Sequence, residues 1–252
     1  MSGHSKWSTI KRKKGANDAK RGKVFTRLGR EITLAARSGS DPSSNFALRL
    51  AVDRAKASNM PKENIDRAIK RGSGEDKDSA LFEEILYEAY GPNGVALLIF
   101  VATDNRNRTL AELKHILNRY GGAMAEPGAV SWQFAQKGYI AVASGQQSYD
   151  ELFMLAAESG AEDVVDDPEV VEIYTPREQL QSVEGALRSG GIRIEEAKLD
   201  WVAKTPLELV TSDAIKVMNV VEQLEELDDI QSVYSNLNVT DEIVSILEAA
   251  AG

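Results

Sequence analysis

The stretch Glu83-Glu-Ile-Leu-Tyr-Glu-Ala-Tyr-Gly-Pro-Asn-Gly-Val-Ala-Leu-Leu-Ile-Phe-Val-Ala-Thr103 decides the fold. Residues 83–90 and 95–103 are rich in strand-forming side chains and flank Gly91-Pro-Asn-Gly94, whose residue types favour a tight turn. The pattern therefore predicts a hairpin of two antiparallel strands. The apolar run at 95–102 is the longest in the chain, and its eight residues are too few for a transmembrane helix and typical of a buried strand. We expect no membrane span.

Helices and strands alternate downstream of the hairpin. The βαββαβ order predicted for residues 139–202 is that of a ferredoxin-like domain. A helix at 211–227 and a strand at 230–239 are too short to stand alone, so we expect them to complete the sheet that begins at residue 83. The elements between are predicted as a helix at 105–120, strands at 129–134 and 139–143, a helix at 149–159, strands at 161–165 and 170–175, a helix at 177–189 and a strand at 192–202.

Three amphipathic helices are predicted upstream of the hairpin, at 17–37, 44–58 and 61–72. The polar stretch 73–79 follows them and is predicted as a linker. The fold class is therefore α+β, with an N-terminal three-helix domain followed by two α+β domains, one of them ferredoxin-like and inserted in the other. The predicted domains are residues 1–75, residues 80–135 together with 205–245, and residues 136–204.

Charge is divided sharply along the chain. The first 72 residues carry 18 Lys and Arg against 6 Asp and Glu, whereas the remaining 180 carry 12 against 33. A concentrated positive segment on an otherwise acidic protein is typical of a surface that meets a polyanion, because Lys and Arg release the counterions condensed on phosphates. A solvated basic face without a partner is the alternative. We expect a nucleic-acid partner.

The candidate nucleic-acid contacts lie on a basic arm, residues 1–16, and on the helices that follow it. The first predicted helix has two faces: Phe25 and Leu28 are expected to pack, and a basic stripe lies opposite them and is expected to contact phosphates. The basic stripe consists of Lys20, Lys23, Arg27 and Arg30. The full set of candidate contacts is His4, Lys6, Trp7, Lys11, Arg12, Lys13, Lys14, Lys20, Lys23, Arg27, Arg30, Arg67, Lys70 and Arg71.

One helix start breaks an electrostatic preference. Asn105 is placed to cap a helix, yet Arg106 and Arg108 occupy the first turn, where the helix dipole is already positive. Acidic side chains such as Glu83 and Glu84 would neutralise these arginines, or an anion or partner would dock there. The sequence leaves both explanations open.

The segment at 126–132, Glu-Pro-Gly-Ala-Val-Ser-Trp, contains turn-forming residues followed by an aromatic side chain. The simplest interpretation is a turn with Trp132 in the core. A functional role for the segment is the alternative.

Enzymatic signatures are missing from the sequence. The chain has no Cys, and His4 and His115 lack the neighbours that would complete a metal site or a catalytic triad. We therefore expect a protein that is not an enzyme, with no cofactor, metal or small-molecule substrate. One acid-rich string leaves a magnesium-dependent enzyme as the remote alternative, since carboxylates bind Mg²⁺, although a solvated turn is simpler. The string is Glu162, Asp163, Asp166, Asp167 and Glu169.

Five motifs resemble the YebC/PmpR family over essentially the full length of the chain. The resemblance implies a helical N-terminal domain, two α+β domains and a cytoplasmic regulator of gene expression. The sequence departs from the family pattern at Lys11-Arg-Lys-Lys14, where many relatives carry a histidine, but the positive charge is kept. The motifs are Gly3-His-Ser-Lys-Trp7, Asp18-Ala-Lys-Arg-Gly-Lys23, Met60-Pro-Lys-Glu-Asn-Ile-Asp-Arg-Ala-Ile69, Tyr90-Gly-Pro-Asn-Gly94 and Thr103-Asp-Asn-Arg-Asn-Arg-Thr109.

The resemblance implies two kinds of regulator. Many members of the family are described as transcriptional regulators that bind promoter DNA, and others as translation factors that help ribosomes through difficult sequences. The helix predicted at 61–72 lacks an evident helix-turn-helix signature, and a basic arm with one aromatic residue, Trp7, suits a folded RNA. We therefore expect a translation factor that acts on ribosomal RNA and relieves stalling, with a DNA-binding transcriptional regulator as the alternative.

Overall fold

The computed structural model describes residues 18–75, 82–145, 148–166 and 170–249. Short 3₁₀ turns lie at Ala36–Ser38, Pro92–Gly94, Ser131–Gln133 and Arg177–Gln179. In chain order the other elements are α1 (Asp18–Ala35), α2 (Phe46–Ala57), α3 (Lys62–Gly72), β1 (Glu83–Tyr90), β2 (Ala96–Thr103), α4 (Arg106–Arg119), β3 (Ala123–Ala125), β4 (Phe134–Ala143), α5 (Tyr149–Glu158), β5 (Asp163–Val165), β6 (Val170–Pro176), α6 (Leu180–Ser189), β7 (Ile194–Ala203), α7 (Thr211–Glu225), β8 (Ile230–Ser235) and α8 (Asp241–Ala249).

The three N-terminal helices pack around an apolar core to which they contribute Leu28, Leu48 and Ile65. Asn45 sets the corner between α1 and α2. Its side-chain oxygen accepts the Leu48 N–H in the first turn of α2, and its amide group donates to the Ala35 carbonyl at the end of α1. An asparagine at this position satisfies a backbone N–H that the helix itself leaves unpaired. One side chain therefore bonds to both helices and fixes their junction.

The hairpin predicted at 83–103 is the centre of the first sheet. β1 and β2 are antiparallel and joined through the Pro92–Gly94 turn, and the strand order is β3-β1-β2-β8. One face of this sheet packs on α4, α7 and α8, in a core that includes Leu97, Leu113 and Val217. β8 pairs with β2, so the last strand of the chain completes the sheet that the hairpin begins.

The second sheet contains β4 to β7 in the order β5-β6-β4-β7, with all pairs antiparallel. α5 and α6 cover one face, and Ile140, Ile173 and Leu180 lie in the shared core. This is the ferredoxin-like arrangement, and it lies in the chain between β3 and β8 of the first sheet. The predicted fold class is confirmed: a helical N-terminal region precedes two sheets with their own helices.

The structure corrects the prediction of a strand at 129–134. The Glu88 carboxylate on β1 accepts three backbone N–H groups from the segment 128–131, so these groups bond to a side chain and not to a neighbouring strand. The chain then enters the second sheet at Phe134, where β4 begins, ahead of the start predicted at 139. The predicted turn is present, but it is held by a buried acid.

The C-terminal helix α8 is missing from the sequence prediction. The strand predicted at 230–239 ends at Ser235, and α8 then buries Ile243 and Leu247 against the first sheet. The spacing of four residues between these two side chains is a helical signal that the short segment carries. The core of this part of the molecule therefore extends beyond residue 245.

An aromatic seam joins the two sheets. The ring of Phe100 in β2 lies 5.8 Å from that of Trp201 in β7 and 5.6 Å from that of Tyr234 in β8. Leu98 and Phe134 are buried beside them. Because Phe134 is the first residue of β4, the seam also positions the loop that leads into that strand.

Gly138 in β4 leaves no room for a side chain. A Cβ at this position would overlap Thr175 Oγ1 and lie 2.8 Å from Leu180 Cβ, and both neighbours are fully buried. We expect Gly138→Ala to lower the free energy of unfolding by about 2 kcal/mol. Gly185→Ala is the control, because Gly185 lies in α6 with open space around it and alanine there should add up to about 1 kcal/mol. Urea unfolding measures both, and equal midpoints would contradict the prediction.

Candidate nucleic-acid interface

The candidate contacts separate into an arm, the stripe on α1 and the cations of α3. The side chain of Lys20 lies outside the described part of the chain, and so do the contacts predicted on the arm. Their role stays a prediction. The contacts on the arm are His4, Lys6, Trp7, Lys11, Arg12, Lys13 and Lys14.

The basic stripe of α1 contacts the end of α7. Lys23 donates from Nζ to the Glu226 carbonyl at 3.1 Å. Arg27 donates to the carbonyls of Glu225 and Ile230 at 2.7 and 3.0 Å. The C-terminus of a helix carries partial negative charge and carbonyls without helical partners, which is why cations bind there. The stripe lies opposite Phe25 and Leu28 as expected, but Lys23 and Arg27 use it to contact the end of α7 and the start of β8.

Arg30 of the stripe is mostly buried. Its guanidinium donates to the Ala102 carbonyl at 3.1 Å and also to the Asp228 carbonyl. It forms an ion pair with the Asp229 carboxylate at 2.9 Å, and the two side chains are only 13% and 4% exposed. All three contacts are made by Nη1, and the mostly buried side chain offers little surface to a phosphate.

Asp229 connects three parts of the structure. Besides Arg30, it accepts hydrogen bonds from Thr103 at 2.9 Å, from Thr109 at 2.6 Å and from Arg108 at 2.7 Å. Burial alone would raise the pKa of this carboxyl, but the hydrogen bonds from Arg108 and the two threonines, with the charge of Arg30, lower the pKa below its ordinary value. Asp229 is therefore ionised at neutral pH and holds α1, β2 and α4 together.

The arginines at the start of α4 have different surroundings. Arg108 pairs with Asp104 at 3.0 Å and with Asp229 at 2.7 Å, so acids neutralise it, although not the acids of β1 that we expected. Asn105 caps the helix by accepting the Arg108 N–H at 3.1 Å. Arg106 is exposed, and no described residue pairs with its side chain. An anion contact at Arg106 stays a prediction.

α3 presents cations without partners. The side chains of Lys62, Arg67 and Lys70 are exposed, and within the described ranges none of them has a hydrogen bond or ion pair. We call these three residues the α3 cation face. Arg71 is different, because its guanidinium lies half-buried with its carbon 5.9 Å from the centre of the Phe82 ring. Lys62 was not among the sequence candidates, although it has the same exposure as the other two.

Other basic side chains of the helical region are engaged within the chain. An arginine that already donates to a carbonyl or pairs with an acid must exchange that partner before it binds a phosphate. The α3 cation face therefore carries the described cations of this region that are ready for an external anion. The engaged side chains are Arg37 with the Phe82 carbonyl, Arg49 with Glu184, Arg54 with Glu31 and Glu196, and Lys56 with Asp53.

The described residues contain no group of three His, Asp or Glu side chains placed to hold a metal ion. In the acid-rich string, Glu162 pairs with Lys137 at 2.8 Å, while Asp167 and Glu169 lie outside the described ranges. Across those ranges, no helix has both the length and the apolar character needed to cross a membrane.

Two further residues stand out only in the structure. We expect Trp132 in the core, but its side chain is 67% exposed, so this expectation is wrong. Asp229 stands in an acid-rich turn with no local signal of its role, because the side chains that it binds are distant in the chain. Its burial, which the sequence does not reveal, is what requires partners from elsewhere in the chain.

Two protein-family models match the chain. One, described as the TACO1/YebC protein N-terminal domain, matches residues 5–75. The other, described as the TACO1/YebC second and third domain, matches residues 82–237. The matched ranges leave residues 76–81 between them, and this segment, which includes the end of the predicted linker, lies outside the described ranges.

Similar proteins align over nearly the whole chain. A probable transcriptional regulatory protein of Chloroflexus aggregans is 51% identical over 248 residues, which are 97% of this chain and 98% of the relative. One from Prosthecochloris aestuarii is 48% identical and covers 99% of this chain and 100% of its own. Among solved structures, a conserved hypothetical protein from Aquifex aeolicus is 44% identical, with a TM-score of 0.82 over 88% of this chain and 92% of its own.

Asp229→Asn should loosen the helical region and lower stability. A neutral amide cannot balance Arg30 and Arg108, so we expect the free energy of unfolding to fall by about 2 kcal/mol at neutral pH. Because folding lowers the pKa of Asp229, its contribution is complete above the ordinary aspartate value of about 4 and is lost as the pH falls through the lower folded value. The difference in the free energy of unfolding between the wild-type protein and the variant should therefore become smaller in acid.

Asp228→Asn is the matched control, because that side chain is exposed and only its main-chain carbonyl contacts Arg30. Urea unfolding at neutral pH and at about pH 3 makes the comparison. Equal losses in the two variants, or a gap for Asp229→Asn that stays constant in acid, would contradict the role given to this carboxylate.

Proposed function

The chain belongs to the TACO1/YebC family, and on this basis we propose that it is a DNA-binding regulator of transcription that acts in the cytoplasm without catalysis. Relatives that align with nearly the whole chain carry the name probable transcriptional regulatory protein. That name supports the alternative drawn from the sequence over its first choice, a translation factor.

The observation that carries the proposal is the α3 cation face. Exposed Lys and Arg side chains without partners bind phosphates readily, because each contact releases counterions from the nucleic acid. Glu63 and Asp66 are exposed on the same helix, but neither forms an ion pair with these cations. These cations therefore remain available to a phosphate. The basic arm that precedes α1 in the sequence supplies further Lys and Arg residues.

The acidic remainder of the chain limits how a nucleic acid approaches. The 180 residues after α3 carry 33 acids against 12 basic residues, so a duplex laid across them would meet like charge. We infer that the backbone of the nucleic acid binds mainly at the helical end of the molecule. Repulsion from the rest suppresses loose binding and contributes to specificity.

A ribosomal RNA target is the second candidate, and the composition of α3 supports it. The exposed side of this helix mixes Glu63 and Asp66 with its cations, whereas helices that read bases in the DNA major groove rely on Arg, Asn or Gln aimed at base edges. A surface of phosphate contacts suits a folded RNA, which proteins recognise largely by shape. A translation factor that relieves stalling would use such contacts.

Replacing Arg67 and Lys70 together by Gln should weaken nucleic-acid binding without unfolding the protein. Two lost phosphate contacts should reduce the slope of log affinity against log salt by about 2 units for duplex DNA. The control carries Lys114→Gln and Lys216→Gln, which change the charge equally on exposed positions of the acidic part. Titrations at several salt concentrations measure the slope. A slope that stays the same in the α3 variant, or falls equally in the control, would remove α3 from the interface.

An experiment in cells distinguishes the two candidate functions. Crosslinking followed by sequencing of the attached nucleic acid should recover promoter DNA from the wild-type protein and much less from the Arg67 and Lys70 double variant. Altered promoter output with normal elongation supports transcription. Ribosomal RNA among the crosslinks, together with ribosome pauses within reading frames in the variant strain, would replace the proposal with the translation factor.

A further inference from the structure

Trp132 is held in a fixed orientation with its ring in solvent. The side chain is 67% exposed, yet its indole Nε1 donates to the Ala129 carbonyl at 3.0 Å. The hydroxyl of Tyr90 donates to the same carbonyl at 3.3 Å. The polar atom of the indole is therefore satisfied within its own loop, and only the apolar ring is presented outward.

The loop that carries Trp132 is anchored from below. Glu88, which is 6% exposed, accepts the N–H groups of Gly128, Val130 and Ser131 at 2.7, 2.6 and 2.9 Å. Burial would raise the pKa of this carboxyl, but the three donors outweigh it and keep the pKa below its ordinary value. The loop is thus fixed near the C-terminal end of β1 by a charged acceptor, and a ring mounted on it loses little freedom when it binds a ligand.

A lysine is bonded to the main chain of Trp132. Lys204 donates from Nζ to the carbonyl of Trp132 at 2.8 Å, and its own N–H bonds to the Gln133 carbonyl at 2.8 Å. The Gln133 side chain in turn accepts from Asn236 at 2.9 Å. Glu126 is the exposed acid of the same loop. An exposed aromatic ring and an ammonium group bonded to the carbonyl of the same residue match the two parts of a nucleotide, a base and a phosphate.

We propose that Trp132 is a stacking site for an unpaired base of the bound nucleic acid and that Lys204 contacts the adjacent phosphate. This inference rests on the proposed function and deepens it. Stacking on an aromatic side chain accepts any base, because every base has a flat π face. A duplex that stays fully paired offers its bases to the grooves only, so the site selects nucleic acid with an unpaired or opened segment.

A protein partner fits the surface less well. Lys is depleted in protein–protein interfaces, and binding hot spots lie within apolar surroundings that exclude water. Trp132 is 67% exposed, whereas Tyr90 and Leu86 on β1 are 38% and 39% exposed, so the indole ring is the most accessible apolar surface of the three. The geometry therefore favours a single stacked ring over a broad apolar contact.

The site is separate from the helical region. Phe82, just before β1, is held there, because Arg37 donates to its carbonyl and Arg30 lies 5.0 Å from its ring centre. Tyr90, near Trp132, is at the other end of β1, which at about 3.3 Å per residue is roughly 23 Å away. A nucleic acid that reaches both would therefore be bound at two points, by its backbone at one and by an unpaired base at the other.

The test compares Trp132→Ala with Trp132→Phe in the full-length protein. The probes are a thymidine-rich single-stranded DNA of about 12 nucleotides and a blunt duplex of the same length. We expect Trp132→Ala to weaken binding of the single strand about tenfold and to leave the duplex unchanged, whereas Trp132→Phe keeps most of the affinity because it keeps a stacking ring. Val210→Ala, at a side chain 68% exposed just before α7, is the control for loss of exposed apolar surface.

The outcomes distinguish the inference from the function on which it rests. If the wild-type protein binds both probes and the Arg67 and Lys70 variant weakens them, but Trp132→Ala matches the wild-type protein, the stacking site is wrong and the proposed function stands. The stacking site is also wrong if Trp132→Ala abolishes binding to a protein partner but leaves the binding of both nucleic-acid probes unchanged. If the wild-type protein binds neither probe, both proposals fail. Equal melting temperatures of the variants confirm that a loss of binding is not a loss of fold.

Discussion

One buried carboxylate, that of Asp229, determines how the helical region is attached to the rest of the molecule. A carboxylate removed from water needs opposite charge or hydrogen-bond donors, and this one receives them from Arg30 of α1, Thr103 at the end of β2 and Arg108 of α4. If one of these contacts is lost, the negative charge of Asp229 is no longer fully compensated, and the buried arrangement of the remaining groups becomes less stable. The helical region and the first sheet therefore share one electrostatic centre.

This centre divides the positive charge of the N-terminal region into two kinds. Arg27 and Arg30 use their donors on carbonyls and on Asp229, and so they serve as structural cations. Arg67 and Lys70 lie on α3 without partners among the described residues and keep their donors for an external anion. The net charge of the segment includes both the structural cations and the cations that are available to a ligand. A basic segment therefore overstates the surface that a polyanion meets, because part of its charge holds the protein together.

The sequence predicts the elements whose signals are local. The hairpin at 83–103 and the end of α3 at Gly72 follow from turn residues and periodicity, and both agree with the structure. The prediction fails where a residue that is distant in the chain determines the local structure. Glu88 captures the N–H groups of the loop before β4 from 42 positions away, which removes a strand that the local pattern favours and brings Trp132 to the surface. The stripe and the α3 cations likewise have the same local pattern, and the position of residues 225–230, which accept from the stripe, separates them.

The order of the elements in the chain has a consequence during synthesis. β2 pairs with β8, which is synthesised after the whole second sheet. The strands of that second sheet, β4 to β7, follow one another in the chain and can therefore pair earlier. Chains emerge N-terminus first and fold as segments become available. Until residues 225–230 have been made, the cations of α1 lack the acceptors that they contact in the finished structure. The helical region can therefore dock on the first sheet only at the end of synthesis, whereas the residues of its own three-helix core are made first.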